Sequence, residues 1–168
     1  MFRTLVVVGS PAVGKSSFTA QFGCQLGIHD IVFEDFKQLY PESTRYARCV
    51  EGIKNLVGEG MFKYIFLPSY AELREELVKQ EVKYVTVSHA PENVDAVYEN
   101  MRGFNAVNNN NIPTRYLNNK DLWRKHQEEM ANDQHAMGNI VLKHNEYINI
   151  GQLIEIEDTY YLNKKVVP

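Results

Sequence analysis

Several classes of protein are excluded by what this sequence lacks. It has only two cysteines, Cys24 and Cys49, too few for a disulfide framework or a zinc set. A reducing cytoplasm is the compartment this predicts. No apolar run exceeds four residues, as in Leu5-Val6-Val7-Val8, against the roughly 20 that a membrane-spanning helix needs. Met1-Phe2-Arg3-Thr4 has neither the apolar stretch nor the small-residue cleavage site of a signal peptide. An excess of positive charge is missing too: 18 Lys and Arg stand against 21 Asp and Glu, for a net charge of −3. That argues against a generally basic nucleic-acid binder. The histidines His29, His89, His126, His135 and His144 show no metal-ligand spacing. Neither Ser88-His89 nor Cys24 has the neighbours of a nucleophilic triad.

What is present is an average globular composition, 44% apolar and 23% charged over 168 residues, which predicts a single domain spanning 1–168. Two hydrophobic periods alternate along it. Thr4 to Val8 reads as a buried strand, and Phe18, Phe22 and Leu26 as the face of a helix that Gly27 ends. Ile31-Val32-Phe33 reads as a second strand ending at Glu34-Asp35. A helix follows Pro41, with a stripe at Tyr46, Cys49, Val50, Ile53 and Val57. Tyr64-Ile65-Phe66-Leu67 is a third strand. Ser69 to Glu72 has capping-box spacing for a helix with Leu73 and Leu77 inward. Val82 to Val87 forms a fourth strand, and Pro91 opens a helix that Gly103 ends. Asn108 to Asn111 before Pro113 reads as a loop. Asp121 to about Gln134 is helical, with Leu122, Trp123, His126 and Met130 on one side, and Ile140-Val141-Leu142 is a fifth strand. Leu153 to Ile156 fits strand or helix equally, and the tail 151–168 has no role derivable from its sequence. Strands alternating with helices predict an α/β fold with a parallel sheet covered on both faces. Ligands then sit beyond the carboxyl ends of the strands.

The first of those ends carries Gly9-Ser10-Pro11-Ala12-Val13-Gly14-Lys15-Ser16, the P-loop pattern G-x-x-x-x-G-K-[ST]. The two glycines let successive N–H groups converge, and the following helix adds the positive end of its dipole. Gly9, Ser10, Pro11, Ala12, Val13, Gly14, Lys15, Ser16 and Ser17 are therefore the expected nucleotide contacts. Lys15 reaches the terminal phosphates, and the Ser16 hydroxyl ligates Mg²⁺. The N-K-x-D stretch of GTP-binding switches is absent, and the third strand ends Leu67-Pro68-Ser69 without the acid that motor ATPases and helicases place there.

Val6 to Ser16, Glu34-Asp35, Tyr64 to Ser69, Glu72 to Leu77, Val82 to Val87, Trp123, Ile140 to Lys143 and Glu146-Tyr147 together resemble a family. They are similar, in this order, to small P-loop proteins, often phage-encoded, akin to adenylate kinase and other nucleoside monophosphate kinases. The resemblance implies a three-layer P-loop sandwich with a five-stranded parallel sheet and a short lid, about 103–117. It implies ATP and Mg²⁺ as cofactors and a small-molecule nucleotide as acceptor. Two departures stand out: no acid follows the third strand, and the lid has only Arg102 and Arg115, separated by the Asn loop.

Asp35 is expected to orient the acceptor and to help Ser16 hold Mg²⁺. Arg102 and Arg115 are expected to close over the transferring group, with surface charge as the alternative. Arg45 and Arg48 read either as an acceptor clamp or as surface ion pairs. Arg74 reads as a phosphate contact or as a partner of Glu75 to Glu81. Lys143 lies where backbone contact with a base is expected. Tyr40, Tyr70 and Tyr116 are the rings expected at a nucleoside, while Trp123 reads as core. The expected activity is ATP-dependent phosphoryl transfer to a nucleoside or deoxynucleoside monophosphate. The alternatives are a nucleotide-binding protein acting on a protein partner without turnover, and a polynucleotide end kinase.

Overall fold

The computed structural model describes residues 2–31, 39–108, 114–143 and 146–162. β1 (Leu5–Gly9) is buried along its whole length. Its side chains alternate, Leu5 and Val7 joining one core cluster and Val6 and Val8 the other. That is the period of a strand covered on both faces, and β-branched residues suit it. β2 (Ile28–Asp30), β3 (Tyr64–Pro68), β4 (Val85–His89) and β5 (Gly138–Leu142) complete a parallel sheet in the order β2-β3-β1-β4-β5. β1 is therefore central, and the chain reverses its winding direction around it. Such a switch point opens a crevice at the strands' carboxyl ends.

α1 (Lys15–Leu26) covers one face, packing Phe18 and Phe22 onto the Leu5 and Val7 side. Gly27 ends it at φ 66°, a left-handed angle that glycine adopts without strain. α2 (Glu42–Glu59) and α3 (Ala71–Lys79) cover the opposite face through Cys49, Val50, Ile53, Leu73 and Leu77. α4 (Val94–Asn108), α5 (Thr114–Leu117) and α6 (Lys120–Ala131) enclose a third cluster around Trp123, whose Nε1 donates to the Val94 carbonyl at 3.1 Å. α7 (Ile150–Glu157) and a π-helical turn (Asp158–Leu162) follow β5. Among the described residues no helix is long and apolar enough to cross a membrane.

Several expectations are corrected. The second strand is Ile28–Asp30, earlier than the Ile31 to Phe33 run; Ile31 N extends its ladder to the Phe66 carbonyl at 3.0 Å. Residues 32 to 38, Glu34 and Asp35 among them, lie outside the described residues. Gly103 does not end its helix, which runs on to Asn108. Residues 109–113 of the expected lid are also outside the description. Ser69 does not cap α3: Tyr70 occupies the cap without a side-chain bond, and Ser69 is engaged elsewhere. On α6 Leu122 is 37% exposed, and Gln127 takes a buried place instead. The tail segment is helix: Asn149 and Gln152 form a capping box, and Leu153 is buried in the same cluster as Leu5 and Val7.

Candidate functional site

The loop between β1 and α1 is held from three sides. Ser10 N donates to the Val87 carbonyl at 3.0 Å, and Ile148 N donates to the Val13 carbonyl at 2.9 Å. Ser10 Oγ donates to Gln127 Oε1 at 3.2 Å, and the same oxygen accepts from His89 N at 2.8 Å. Two loop residues take left-handed angles, Ala12 at φ 66° and Gly14 at φ 97°. For Ala12 this is strained backbone, which persists only where the surroundings over-determine it. A Cβ on Gly9 would stand 2.8 Å from Val13 Cγ2 and 3.0 Å from Lys15 Cδ, so the loop's tight curl requires glycine there. Gly14 caps α1 with no side-chain bond, leaving the first-turn N–H groups available to an anion.

Lys15 folds back over this curl. Its Nζ donates to the Gly9 carbonyl and, at 3.1 Å, to the Ser10 carbonyl. Burial lowers its pKa to about 8, against the opposing pull of Asp30. Asp30 ends β2, accepts a hydrogen bond from Ser16 and faces Lys15. Burial raises its pKa despite both partners. A desolvated ammonium with one carboxylate for company, at the N-terminus of α1, fits an added polyphosphate. Ser16 is exposed, and with Asp30 it presents hard oxygen ligands of the kind Mg²⁺ takes. Among the described residues no group of three or more His, Cys, Asp or Glu could hold a metal ion by itself.

The predicted residues thus divide. Gly9 ends β1, Ser10 to Gly14 form the loop, and Lys15, Ser16 and Ser17 open α1. Asp35 lies outside the described residues, and the acid beside Ser16 is Asp30. The sequence reading missed Asp30 because the strand was placed too late; its only sequence signal is its position three residues after Gly27. Arg102 lies exposed on α4 with its guanidinium 5.9 Å from the Tyr98 ring of its own helix. Arg115 instead reaches the mouth of the sheet, 5.5 Å from the Tyr70 ring centroid and 4.8 Å from that of Tyr116, and donates to the Tyr116 hydroxyl at 3.2 Å. Arg74 pairs with Asp133 at 3.2 Å rather than with the glutamates of its own helix. Arg45 Nη2 bonds the Tyr40 carbonyl at 3.4 Å, and Arg48 lies 5.6 Å from the Tyr40 ring centroid. The Lys143 N–H donates to the Glu146 carboxylate at 2.8 Å. Tyr116 is buried, whereas Tyr147, 64% exposed, lies against Gly14, where an added Cβ would meet its ring at 3.3 Å.

Three buried polar side chains stand at the site; the sequence placed His126 on the inner side of its helix but gave no role to it, to His89 or to Gln127. Gln127 anchors the loop as described. His89 is 2% exposed, and neither ring nitrogen has a well-formed hydrogen bond. Burial lowers its pKa to about 4, although the backbone of Ala12 and Pro11 favours its protonated form. His126 Nε2 shares a 2.7 Å hydrogen bond with Ser69 Oγ. Burial, with the nearby charges of Arg74, Arg115 and Lys15, lowers its pKa to about 4 as well. Both imidazoles are neutral at neutral pH. Cys49 is buried, its thiol pushed up to about 12, and is chemically inert.

Neither a scan against protein-family models nor a search of curated proteins returns a match. Among solved structures, an unliganded sugar kinase from Janibacter sp. HTCC2649 has a similar fold. The TM-score is 0.54 at 15% identity, over 95% of this chain and 94% of that one. The fold, an α/β sandwich with a five-stranded all-parallel sheet as the alternation of strands and helices predicts, is shared with that protein.

Proposed function

We propose that this protein is a P-loop phosphotransferase that moves the γ-phosphoryl group of ATP to a nucleoside or deoxynucleoside monophosphate. The observation that carries this reading is the under-compensated Lys15 ammonium in the curl of Gly9 to Ser16, with Asp30 and Ser16 beside it. In the transfer, an acceptor phosphate oxygen bonds to Pγ. The bond from Pγ to the β–γ bridging oxygen breaks, and ADP leaves with the electron pair. Lys15 neutralises charge on the transferring group, and the first-turn N–H groups of α1 hold the phosphates. Mg²⁺, when bound, would neutralise the phosphate oxygens, with Ser16 and Asp30 as the residues that hold it directly or through water. In this reading Arg115, held against Tyr70 and Tyr116, supplies positive charge to the transferring group. Tyr147 offers an exposed ring beside the loop for the adenine base.

A second reading has its own support. Asp30 is a carboxylate of raised pKa, suited to accept a proton from a hydroxyl acceptor, and the similar fold is that of a sugar kinase. The experiment is a panel of nucleoside and deoxynucleoside monophosphates, nucleosides and simple sugars with ATP and Mg²⁺, products separated directly. The monophosphate reading expects diphosphate products that vanish in Lys15→Ala. Product from neutral acceptors alone would replace it with the second reading. ATP binding without product from any acceptor would leave a nucleotide-binding protein.

A further inference from the structure

One buried ring beside the phosphate loop leaves its hydrogen-bonding capacity unused. β4 runs beside β1: Val87 pairs with Gly9, and the Val87 carbonyl accepts from Ser10 N at 3.0 Å, so His89 emerges against the loop. Its backbone is fixed. His89 N donates to Gln127 Oε1 at 2.8 Å, and the following Ala90 N donates to the Leu142 carbonyl at 2.8 Å. Its ring lies 6.2 Å from that of Trp123, centroid to centroid. Burial holds the ring neutral, while the backbone of Ala12 and Pro11 lies near enough to favour a proton on it. Yet His89 is 2% exposed, and among the described residues neither ring nitrogen has a well-formed hydrogen bond. Gln127 Nε2 is a second buried donor beside it with no partner. Ala12, in the middle of the loop, is its strained member at φ 66°. A buried polar ring without a partner costs stability, and so does a left-handed alanine. The two stand together at the loop that leads into the N-terminus of α1, and each calls for an explanation.

We propose that His89 is a positioning residue of the phosphate loop: when a polyphosphate draws the loop onto the N-terminus of α1, the His89 ring N–H bonds the carbonyl of Pro11 or Ala12 and holds the loop in its binding shape. A neutral imidazole carries the one N–H donor this needs. The ring touches neither phosphate nor acceptor and acts through the loop alone. Its bond fixes a segment whose own backbone angle at Ala12 opposes it, which is the over-determination that a strained residue requires. This proposal rests on the reading of Gly9 to Ser16 as a polyphosphate site, and it holds whichever acceptor is used.

The test combines calorimetric titration of ATP with Mg²⁺ and urea unfolding of the full chain, as wild type, His89→Leu and His89→Gln. His89→Leu keeps the bulk and removes the donor, whereas His89→Gln keeps an N–H donor. His89→Leu is expected to bind ATP about tenfold more weakly. Its unfolding midpoint without nucleotide is expected to stay level or rise, because an unpaired buried polar group has gone. His89→Gln is expected to bind ATP within about threefold of wild type. A merely structural histidine would lower the midpoint together with the affinity. The His89 ring N–H proton of wild type, followed by NMR, keeps the test available should a variant not fold. It is expected to move downfield and to exchange more slowly with water when ATP and Mg²⁺ are added. Failure of wild type to bind ATP would overturn the polyphosphate reading and this proposal with it. With ATP bound by wild type, four results would each overturn the proposal alone: equal affinity in His89→Leu, an affinity that His89→Gln does not restore, a lowered His89→Leu midpoint, or a His89 N–H unchanged by ATP.

Discussion

His89 and His126 each add a term to the protein's response to acid. In the folded state both are held to about 4 by burial, whereas an exposed imidazole takes up its proton near 6.5. Between those values the unfolded chain binds more protons, so stability is full above about pH 6.5 and is lost as pH falls through the window toward 4. Each imidazole contributes about 2 kcal/mol of loss by pH 5. Urea unfolding at pH 7 and pH 5 measures the slope, and His126→Gln isolates its share, because Asp30 and Glu157 titrate identically in both proteins. Equal pH dependence in variant and wild type would show that His126 is not held neutral by the fold. At this scale the P-loop was legible because its chemistry is local, with glycines, lysine and serine at fixed spacing. Asp30 was not, because its strand has only three residues and the neighbouring apolar run Ile31-Val32-Phe33 carried the stronger signal. Ser69 was misread for a related reason. Its spacing to Glu72 fits a capping box, but its partner His126 lies 57 residues away and no local pattern announces it.

Among the elements, β1, β3 and the helices α1 to α3 followed their apolar periods closely, because each buries a face on the sheet, whereas β2 begins earlier than its apolar run and β4 is Val85–His89 rather than Val82 to Val87. α4 was predicted too short. A glycine costs a helix interior only about 1 kcal/mol, less than the packing of Val94, Tyr98 and Met101 around Trp123 supplies. The tail was ambiguous because Leu153-Ile154-Glu155-Ile156 fits both periods, and the Asn149–Gln152 cap that decides it lies just upstream. α7 belongs to the core that carries the loop: Leu153 is fully buried, and Tyr64 Oη donates to Glu157 Oε2 at 3.4 Å. Leu153→Ala is therefore expected to lower the unfolding free energy by about 2–5 kcal/mol. A change below about 0.5 kcal/mol in denaturant unfolding, the size of an ordinary surface substitution, would show that this helix does not rest on the core.

For the molecule as a whole, alternation of strand and helix pointed to a parallel sheet, and the glycine-rich motif fell at the carboxyl end of its central strand. The strand order β2-β3-β1-β4-β5 was not legible, since it depends on crossovers between segments distant in sequence. That order explains the convergence of the site. Central β1 delivers the loop, β2 and β3 deliver Asp30 and Ser69 on one side, and β4 delivers His89 on the other. α6 then ties the edge together through Gln127, whose one oxygen accepts from both Ser10 and His89. The central claim is that the curl around Lys15 is built for a polyphosphate. Calorimetric titration of ATP with Mg²⁺ into wild type and Lys15→Ala tests it most directly, with circular dichroism confirming that both are folded. The account predicts binding by wild type and a loss of about thirtyfold or more in the variant, the usual cost of removing one partner of a buried charged contact. Absence of ATP binding by wild type, or equal affinity in the two proteins, would contradict it.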